Sequence, residues 1–445
     1  MKKSKVLTWN NKRSLIVIAL LILGLMLRLY FSQFGNTSGD LQVFAEWGDK
    51  IWKTGLKSFY FDNTWYYSRP TYPPISSLMY GGIFWLYERR YVLAQIHNSI
   101  KVIPAVFIIW FGRADTLDPF QYGQGYFLLL KLPGILADVG ISWIIFKIVA
   151  DITKSWKKGI YGMCFYLFNP VSIFVSSIWG QTESLIGFFG LLAFVMLYYN
   201  KAWVSLPALF VCLFIKPTWI IFLPLFIFLL LYKGSRTLSL FYGLLISLII
   251  YLVATIPFTR GNILIFTYET LIRNMLPTSK GAAMLSVSAF NLYTIFVDFN
   301  AKLISDSIFR NVTLFGWLIY AGINLYIINY IKVQKNKSSY FIALFLVGAG
   351  SFLFMSNMLE RYFYAAFIFL GILLFIKKNL AFPLVTLSLV FFINLVWSFY
   401  RRTNGILDSF VTGSNFFVVK ILSVLAVASW VYALSRVISF KSKTN

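Results

Sequence analysis

The sequence predicts an all-α, polytopic membrane protein, and three observations support that fold class. Hydrophobic residues make up 59% of the 445 residues, whereas charged residues make up only 12%. Soluble domains carry about 25% charged residues, so a soluble fold is excluded. Apolar runs of roughly 17–25 residues recur along the chain, and each can cross about 30 Å of hydrocarbon as a helix. We expect one integral-membrane domain over residues 1–445.

The basic residues predict how the chain is oriented. The chain has 40 Lys and Arg against 15 Asp and Glu, which gives a formal net charge of +25. Most of the basic residues lie in short segments between apolar runs, and the positive-inside rule places such segments in the cytoplasm. The charge therefore indicates membrane contact and orientation, and no nucleic-acid partner is expected. The basic segments are the N-terminus, 89–90, 154–158, 201, 233–236, 332–337, 377–378 and 441–443.

Placing these segments on one side requires an even number of crossings, and the sequence supports about 14. The two spans that flank Lys216 are short and can instead form a broken hairpin, so about 11–14 transmembrane segments are expected. The long loops 35–74 and 258–307 then lie outside. The first span contains Arg28 and lacks a small-x-small cleavage site, so it is interpreted as retained. The predicted spans are 15–34, 75–89, 92–112, 126–149, 159–178, 184–200, 202–215, 217–232, 237–257, 308–331, 340–357, 362–376, 380–400 and 415–440.

The first external loop carries the leading candidate for a catalytic residue. Asp40 follows the first apolar run, where a carboxylate can take a proton from an acceptor that arrives from water. The alternative is a solvated residue at a helix end. Residues 41–56 repeat apolar positions at helical spacing, which is typical of an amphipathic interfacial helix. Arg69 is a candidate cation in the same loop. Tyr72 is a candidate substrate-binding residue that is expected to pack and stack rather than to react.

Two charged residues fall inside the predicted span 126–149. Lys131 and Asp138 are seven residues apart and share a helix face at a separation of about 10 Å along the axis. A charge in the membrane costs about 2.5–3.5 kcal/mol on insertion scales, so it normally has a partner or a function. Pairing between helices is favoured for both residues, and substrate contact by Asp138 is the alternative.

Other polar residues mark the outer ends of predicted spans. Each can contact a sugar or a phosphate, or it can cap a helix, extend toward the membrane surface or form a local ion pair. They are Trp179, Gln181 and Glu183 in one junction, Lys216 before the helix-breaking Pro217, and the adjacent pair Glu360 and Arg361.

Taken in order, these motifs resemble those of the bacterial relatives of the GPI-anchor mannosyltransferases, in the C-type glycosyltransferase superfamily. The resemblance covers nearly the whole chain but is weak between the motifs. Two departures stand out: family members often have Asp at the position of Glu183 and His at the position of Leu359. The motifs are Asp40, Tyr72-Pro73-Pro74, the Leu-x-Asp ending at Asp138, Asn169-Pro170, Trp179-Gly180-Gln181-x-Glu183-Ser184, Lys216-Pro217 and Glu360-Arg361-Tyr362.

The resemblance implies a C-type glycosyltransferase fold with an active site on the extracytoplasmic face of the cell membrane. The implied donor is a monosaccharide, mannose-like, linked to polyprenyl phosphate. The implied acceptor is a hydroxyl of a glycan, a glycolipid or a cell-wall polymer. Asp40 would be the base of a single inverting step, while Arg69, Lys216 and Arg361 are candidate cations for the donor phosphate. No cofactor or metal is expected, and the chain has no DxD motif.

Two other functions fit part of the sequence. A lipid-linked sugar flippase or transporter would share broken helices and charges in the membrane, but it predicts inverted repeats that the sequence does not display. A polysaccharide polymerase or ligase would favour Arg and His clusters in a late external loop. His97 is the only histidine, and both Cys164 and Cys212 lie in apolar runs. This composition excludes a His-rich metal site and predicts neither a disulfide framework nor a Cys-based metal site.

Overall fold

The computed structural model describes residues 11–36, 38–99, 124–275, 285–298, 306–334 and 336–438. These residues are almost entirely helical and contain no strand, which confirms the all-α prediction. In the first half the helices are α1 (Asn11–Phe31), α2 (Gly39–Thr54), α3 (Leu56–Phe59), α4 (Pro74–Glu88), α5 (Arg90–Ser99), α6 (Gln124–Thr153), α7 (Trp156–Leu167), α8 (Pro170–Ile173), α9 (Glu183–Tyr198) and α10 (Ala202–Ile215).

The second half continues the helical pattern, with short π and 3-10 turns between helices. A π-helical turn, Phe174–Trp179, follows α8, and 3-10 turns form at Pro217–Phe222 and Glu360–Phe363. The remaining helices are α11 (Leu223–Tyr232), α12 (Thr237–Thr255), α13 (Ile263–Phe266), α14 (Asp306–Gln334), α15 (Lys337–Phe354), α16 (Tyr364–Phe367), α17 (Leu370–Ile376), α18 (Ala381–Tyr400) and α19 (Gly405–Ile438).

Among the described residues, five helical segments are long and apolar enough to cross a membrane. Counting the pair Trp156–Leu167 and Pro170–Trp179, which is bent by 45°, as one span raises this number to six. The chain therefore has the helices of a multi-pass membrane protein. The five segments are Asn11–Phe31, Thr237–Phe258, Asn311–Gln334, Lys378–Tyr400 and Asn415–Val437.

The number of full-length apolar helices is lower than the predicted 14 spans. Several predicted spans correspond to helices of 10–17 residues, which reach only about 15–26 Å and fall short of the hydrocarbon layer. The predicted span 362–376 is divided among a 3-10 turn, α16 and α17. The predicted span 92–112 and the external loop 258–307 lie partly outside the described residues.

Helix α6 is the helix against which much of the first half of the chain packs. It has 30 residues with Pro133 inside it, and it packs against α1, α2, α4, α7 and α9. The apolar face of α2 does not lie free at the surface. Leu41, Phe44 and Trp47 are buried against aromatic residues of α4 and α6, so α2 is fixed to the helical core. The predicted amphipathic helix is therefore present, with one face buried by protein.

The turn between α1 and α2 is held by Lys131, which lies on α6. The ammonium group of Lys131 donates to the carbonyl oxygens of Ser32 at 2.7 Å and Phe34 at 2.6 Å, and to Oδ1 of Asn36 at 2.8 Å. Gly35 in this turn has φ +73°, and a Cβ there would meet the carbonyl oxygen of Ile178 at 2.3 Å. Lys131 therefore has a structural role, as favoured from the sequence, but its partners lie in the turn before α2 rather than on another helix.

Candidate active site

Several of the predicted site residues lie around Asp40. Its Oδ2 accepts hydrogen bonds from Trp179 Nε1 at 3.0 Å and from Gln181 Nε2 at 2.6 Å. Arg361 Nη1 lies 3.8 Å from the same oxygen. The side chain of Asp40 is 35% exposed, and no described residue forms a hydrogen bond with its Oδ1. One carboxylate oxygen is therefore fixed by the protein, while the other remains able to accept a proton.

The position of Asp40 differs from the loop that the sequence predicted. Helix α2 begins at Gly39, so Asp40 lies in the first helical turn. A carboxylate in the first turn interacts favourably with the unpaired N–H groups and the positive end of the helix dipole. Asp40 is thus held by its own helix as well as by Trp179 and Gln181.

The chain around Gly180 brings Trp179 and Gln181 to Asp40. Trp179 ends the π-helical turn, and Gly180 adopts the left-handed conformation with φ +73°. A Cβ at Gly180 would lie 2.7 Å from Leu41 Cδ2, and the positive φ would strain any other residue, so both features favour glycine here. The reversal lets two residues that flank Gly180 reach the same carboxylate oxygen.

The surroundings of Asp40 keep it ionised. Burial raises the pKa of the Asp40 carboxyl, but the Arg361 charge, the Trp179 hydrogen bond, the Lys216 charge and the Gln181 hydrogen bond all lower it. Their combined effect holds the pKa of Asp40 below its usual value. The carboxylate is therefore the form present at neutral pH, as a general base requires.

Glu183, Lys216 and Arg361 form a buried charge cluster beside Asp40. Oε1 of Glu183 accepts a hydrogen bond from Nζ of Lys216 and lies 3.7 Å from Nε of Arg361. Arg361 also contacts Glu360 through Nη1 at 3.1 Å. Removing either member of such a buried pair leaves a desolvated charge behind, at a typical cost of about 3–5 kcal/mol. Both predicted phosphate-binding cations in this cluster are thus already paired with carboxylates.

Aromatic rings enclose the cluster. The ring of Tyr72 lies 5.2 Å from Nζ of Lys216 and packs edge-on against Trp47 at 5.3 Å. Arg361 lies 5.7 Å from the centre of the Trp179 ring. Tyr72 packs against aromatic rings as the sequence predicted, in edge-on and tilted contacts. The rings shield these charges from water and strengthen the interactions between them.

Several buried polar atoms around Asp40 have no hydrogen-bond partner among the described residues. Leaving such a group unsatisfied typically costs about 1–3 kcal/mol, so their number at one place indicates a polar space that water or a polar ligand can fill. Tyr80 of α4, whose ring stacks on Phe44 at 4.7 Å, could not be identified from the sequence, because nothing distinguishes it among 27 tyrosines. The atoms are the Tyr80 hydroxyl, Gln181 Oε1, Thr182 Oγ1, Glu183 Oε2 and Arg361 Nε.

Asp138 does not join this cluster, so the structure does not support the alternative prediction of substrate contact. Its Oδ2 accepts from Arg28 Nε at 3.0 Å, and its Oδ1 accepts from the hydroxyls of Tyr166 at 2.7 Å and Tyr364 at 3.0 Å. Asp138 and Arg28 are both fully buried, so no oxygen of this carboxylate is left for a substrate. The favoured prediction for Asp138, pairing between helices, is confirmed. The hydroxyl of Tyr364 also lies 2.9 Å from Oγ of Ser184, which adjoins Glu183.

Arg69 lies at the end of a loop that is fastened to α2. The Glu46 carboxylate accepts the backbone N–H groups of Tyr66, Tyr67 and Ser68, and Trp47 Nε1 donates to the Ser68 carbonyl at 2.8 Å. The side chain of Arg69 is exposed and forms no ion pair with a described residue. The structure therefore does not place Arg69 in contact with Asp40. This role of Glu46 could not be predicted from the sequence, because its partners are backbone groups.

No protein-family model and no curated protein matches this chain. The similarity to C-type glycosyltransferases therefore rests on the motifs themselves. Function must be argued from the geometry around Asp40, where Trp179, Gln181, Glu183, Lys216, Glu360 and Arg361 converge.

Proposed function

We propose that this protein is an integral-membrane glycosyltransferase that moves a monosaccharide, a mannose-like hexose, from a polyprenyl-phosphate donor to an acceptor hydroxyl. One observation carries the proposal: the Asp40 carboxylate has one oxygen fixed by Trp179 and Gln181 and a second oxygen without a described partner. This is the arrangement a general base needs, because the fixed oxygen orients the group and the other takes the proton.

The proposed reaction is a single displacement. The oxygen of the acceptor hydroxyl forms a bond to the anomeric carbon of the donor sugar, while the bond from that carbon to the phosphate oxygen breaks. The bonding electron pair leaves with the phosphate, and the hydroxyl proton passes to Oδ1 of Asp40. The products are an inverted glycoside and polyprenyl phosphate. Asp40 then releases its proton to water, which its low pKa favours.

The residues around Asp40 have separate parts in this proposal. Trp179 and Gln181 orient the base, and Arg361 helps to keep it ionised. The unpartnered oxygens of Gln181 and Glu183 and the hydroxyl of Tyr80 can bond sugar hydroxyls. Lys216 holds Glu183 in place. The acceptor, a glycan, a glycolipid or a cell-wall polymer, would approach from the extracytoplasmic side, on the basis of the Lys and Arg distribution.

The experiment that tests this proposal measures release of polyprenyl phosphate. Purified protein in lipid nanodiscs is incubated with a panel of polyprenyl-phosphate hexoses, with and without soluble oligosaccharide acceptors. We expect acceptor-dependent release from at least one donor. If no donor releases polyprenyl phosphate but an intact donor crosses the bilayer of proteoliposomes, the protein is a transporter and the proposal is wrong.

A further inference from the structure

The charges around Asp40 leave the donor phosphate without a cation. Asp40, Glu183 and Glu360 contribute three negative charges, and Lys216 and Arg361 contribute two positive charges. A sugar linked to polyprenyl phosphate brings one further negative charge on its phosphodiester. A second anion placed in this partly buried cluster would be repelled, because Coulomb interactions are strong where water is excluded.

The stereochemistry of an inverting displacement also argues against a phosphate beside Arg361. The attacking oxygen and the departing phosphate oxygen lie on opposite sides of the anomeric carbon, so the base and the phosphate are separated by the reacting sugar. Arg361 lies 3.8 Å from Asp40, which places it on the side of the base. A cation for the phosphate is needed elsewhere near the cluster.

Arg401 and Arg402 are cations at a suitable place. They directly follow α18, which packs against the Glu360–Phe363 turn, and the Phe399 ring lies 5.3 Å from the Trp179 ring that binds Asp40. Two aromatic rings, those of Trp179 and Phe399, thus lie between Asp40 and this end of α18. The helix end is therefore joined to the cluster by direct packing rather than by proximity in sequence.

Neither arginine is paired with a carboxylate of the described residues. Arg401 is half-buried over the Trp397 ring at 5.1 Å, and Arg402 is exposed. Neither forms a side-chain hydrogen bond or an ion pair with a described residue. Oδ1 of the nearby Asp408 accepts a hydrogen bond from Trp397 Nε1 at 3.0 Å. Burial and the Arg402 charge lower the pKa of Arg401, and the Glu360 and Asp408 charges raise it, with a lowered pKa as the result. Arg401 therefore lies within electrostatic range of Glu360 in the cluster.

We infer that Arg401 and Arg402 bind the phosphate of a polyprenyl-phosphate-linked donor, an inference that rests on the proposed function. Guanidinium groups bind phosphate oxygens in a bidentate, charge-assisted manner. The pair immediately follows the apolar segment Lys378–Tyr400, so it lies where a span leaves the hydrocarbon and where lipid phosphates reside. Under the predicted topology these arginines lie on the face opposite to the basic segments. Their position is thus not explained by the positive-inside rule.

The same helical segment offers a matched control. Lys377 and Lys378 stand at its other end, and they too comprise one half-buried and one exposed cation. Binding of farnesyl phosphate, a short polyprenyl phosphate, is measured on detergent-purified full-length protein by isothermal titration calorimetry. Farnesol and inorganic phosphate are measured alongside to separate recognition of the tail from that of a free anion. We expect R401Q/R402Q to weaken farnesyl phosphate binding at least tenfold and K377Q/K378Q to change it less than twofold.

The other possible results separate the inference about Arg401 and Arg402 from the glycosyltransferase proposal. If wild type binds farnesyl phosphate and R401Q/R402Q binds it equally well, the phosphate site is elsewhere, while the glycosyltransferase proposal stands. If R401Q/R402Q loses farnesol to the same extent, the arginines do not recognise phosphate and the inference is wrong. If inorganic phosphate binds as tightly as farnesyl phosphate, the site is for a free anion and the inference is also wrong. Failure of wild type to bind any polyprenyl phosphate would overturn both.

Discussion

Gln181 donates its amide N–H to Oδ2 of Asp40 at 2.6 Å, although the two residues are 141 positions apart in the sequence. Trp179 donates to the same oxygen at 3.0 Å from the other side of Gly180. Asp40 is therefore oriented by a different part of the fold, the corner between the π-helical turn and α9. A carboxylate that only capped a helix would not need two donors from so distant a segment, and this supports the proposal that Asp40 is the general base.

We predict that Asp40→Asn abolishes most of the transfer activity without unfolding the protein. Asparagine retains one oxygen for Trp179 and Gln181 but cannot accept the hydroxyl proton. Loss of a general base typically lowers the rate by about 10²–10⁴-fold. The measurement is donor turnover at saturating acceptor, with expression and monodispersity matched to wild type.

Asp49→Asn is the control for this prediction. Asp49 lies on the same helix, α2, and forms a salt bridge with the exposed Lys53 at 2.6 Å. It has no contact with Trp179, Gln181 or Arg361 in the described structure. Its variant should turn over at the wild-type rate. Near wild-type turnover by Asp40→Asn would remove Asp40 from the mechanism and make Glu183 the next candidate base.

The pH dependence of turnover should report the hydrogen bonds to Asp40. Only the ionised carboxylate can act as a base, so the rate falls as the pH drops through the pKa of Asp40. Trp179 lowers that pKa by its hydrogen bond. Trp179→Phe removes the donor, so the pKa should rise and the acid limb of the rate profile should move to higher pH.

A matched tryptophan serves as the control for the pH profile. The Trp65 indole donates to the Asp62 carbonyl at 2.7 Å and has no hydrogen bond to Asp40. Trp65→Phe should leave the acid limb where it is in wild type. An acid limb that stays in place for both variants would mean that a group other than Asp40 controls the rate at low pH.

The buried pair of Arg28 and Asp138 should matter for stability rather than for chemistry. Both side chains are fully buried, and Arg28 also donates to the Leu167 carbonyl at 2.6 Å and to Ser172 Oγ at 2.9 Å. Removing one partner of such a pair typically costs about 3–5 kcal/mol, because a desolvated charge remains. We expect Asp138→Asn to lower the thermal midpoint of the detergent-purified protein sharply, as measured by fluorescence-detected size-exclusion chromatography.

Lys53→Ala tests the contrast with a surface pair. Lys53 is 66% exposed, and exposed pairs typically contribute only about 0–1 kcal/mol, so its midpoint should stay close to that of wild type. Asp138→Asn protein that remains folded below its midpoint should still bind donor, since Asp138 has no free oxygen for a ligand. If Asp138→Asn has a wild-type midpoint but does not bind donor, Asp138 contacts the substrate and the prediction is wrong.

The fold class followed from the sequence because hydrophobic composition and run length depend on local physics alone. The amphipathic helix α2 was predicted for the same reason, from apolar spacing over 41–56. The break inside the predicted span 362–376 was not predictable in this way, because it is divided among the 3-10 turn Glu360–Phe363, α16 and α17. By contrast, α10 has the bounds predicted for the short span 202–215 and ends just before Lys216 and Pro217.

The candidate site, too, was only partly predictable from the sequence. The motifs identified most residues that meet at Asp40, because polar groups at the ends of apolar runs are conspicuous in sequence. Pairing was predicted for Asp138 and Lys131, but their partners were not visible, since the contacts with Arg28 and with backbone carbonyls join residues about 100 positions apart. Tyr80 and Arg401 were missed because each looks like an ordinary interfacial residue until its neighbours are known.

The predicted orientation places the Asp40 site outside the cell, and cysteine labelling checks it. Cys164 and Cys212 are first replaced by alanine, and single cysteines are introduced at Asn63 and Lys157, both exposed. Asn63 follows α2 in the predicted external loop, and Lys157 lies in the predicted cytoplasmic segment 154–158. A membrane-impermeant maleimide should label Asn63→Cys in intact cells and Lys157→Cys only after permeabilisation, because basic segments remain in the cytoplasm. The reverse pattern would place Asp40 in the cytoplasm and make acceptors of the outer face inaccessible to it.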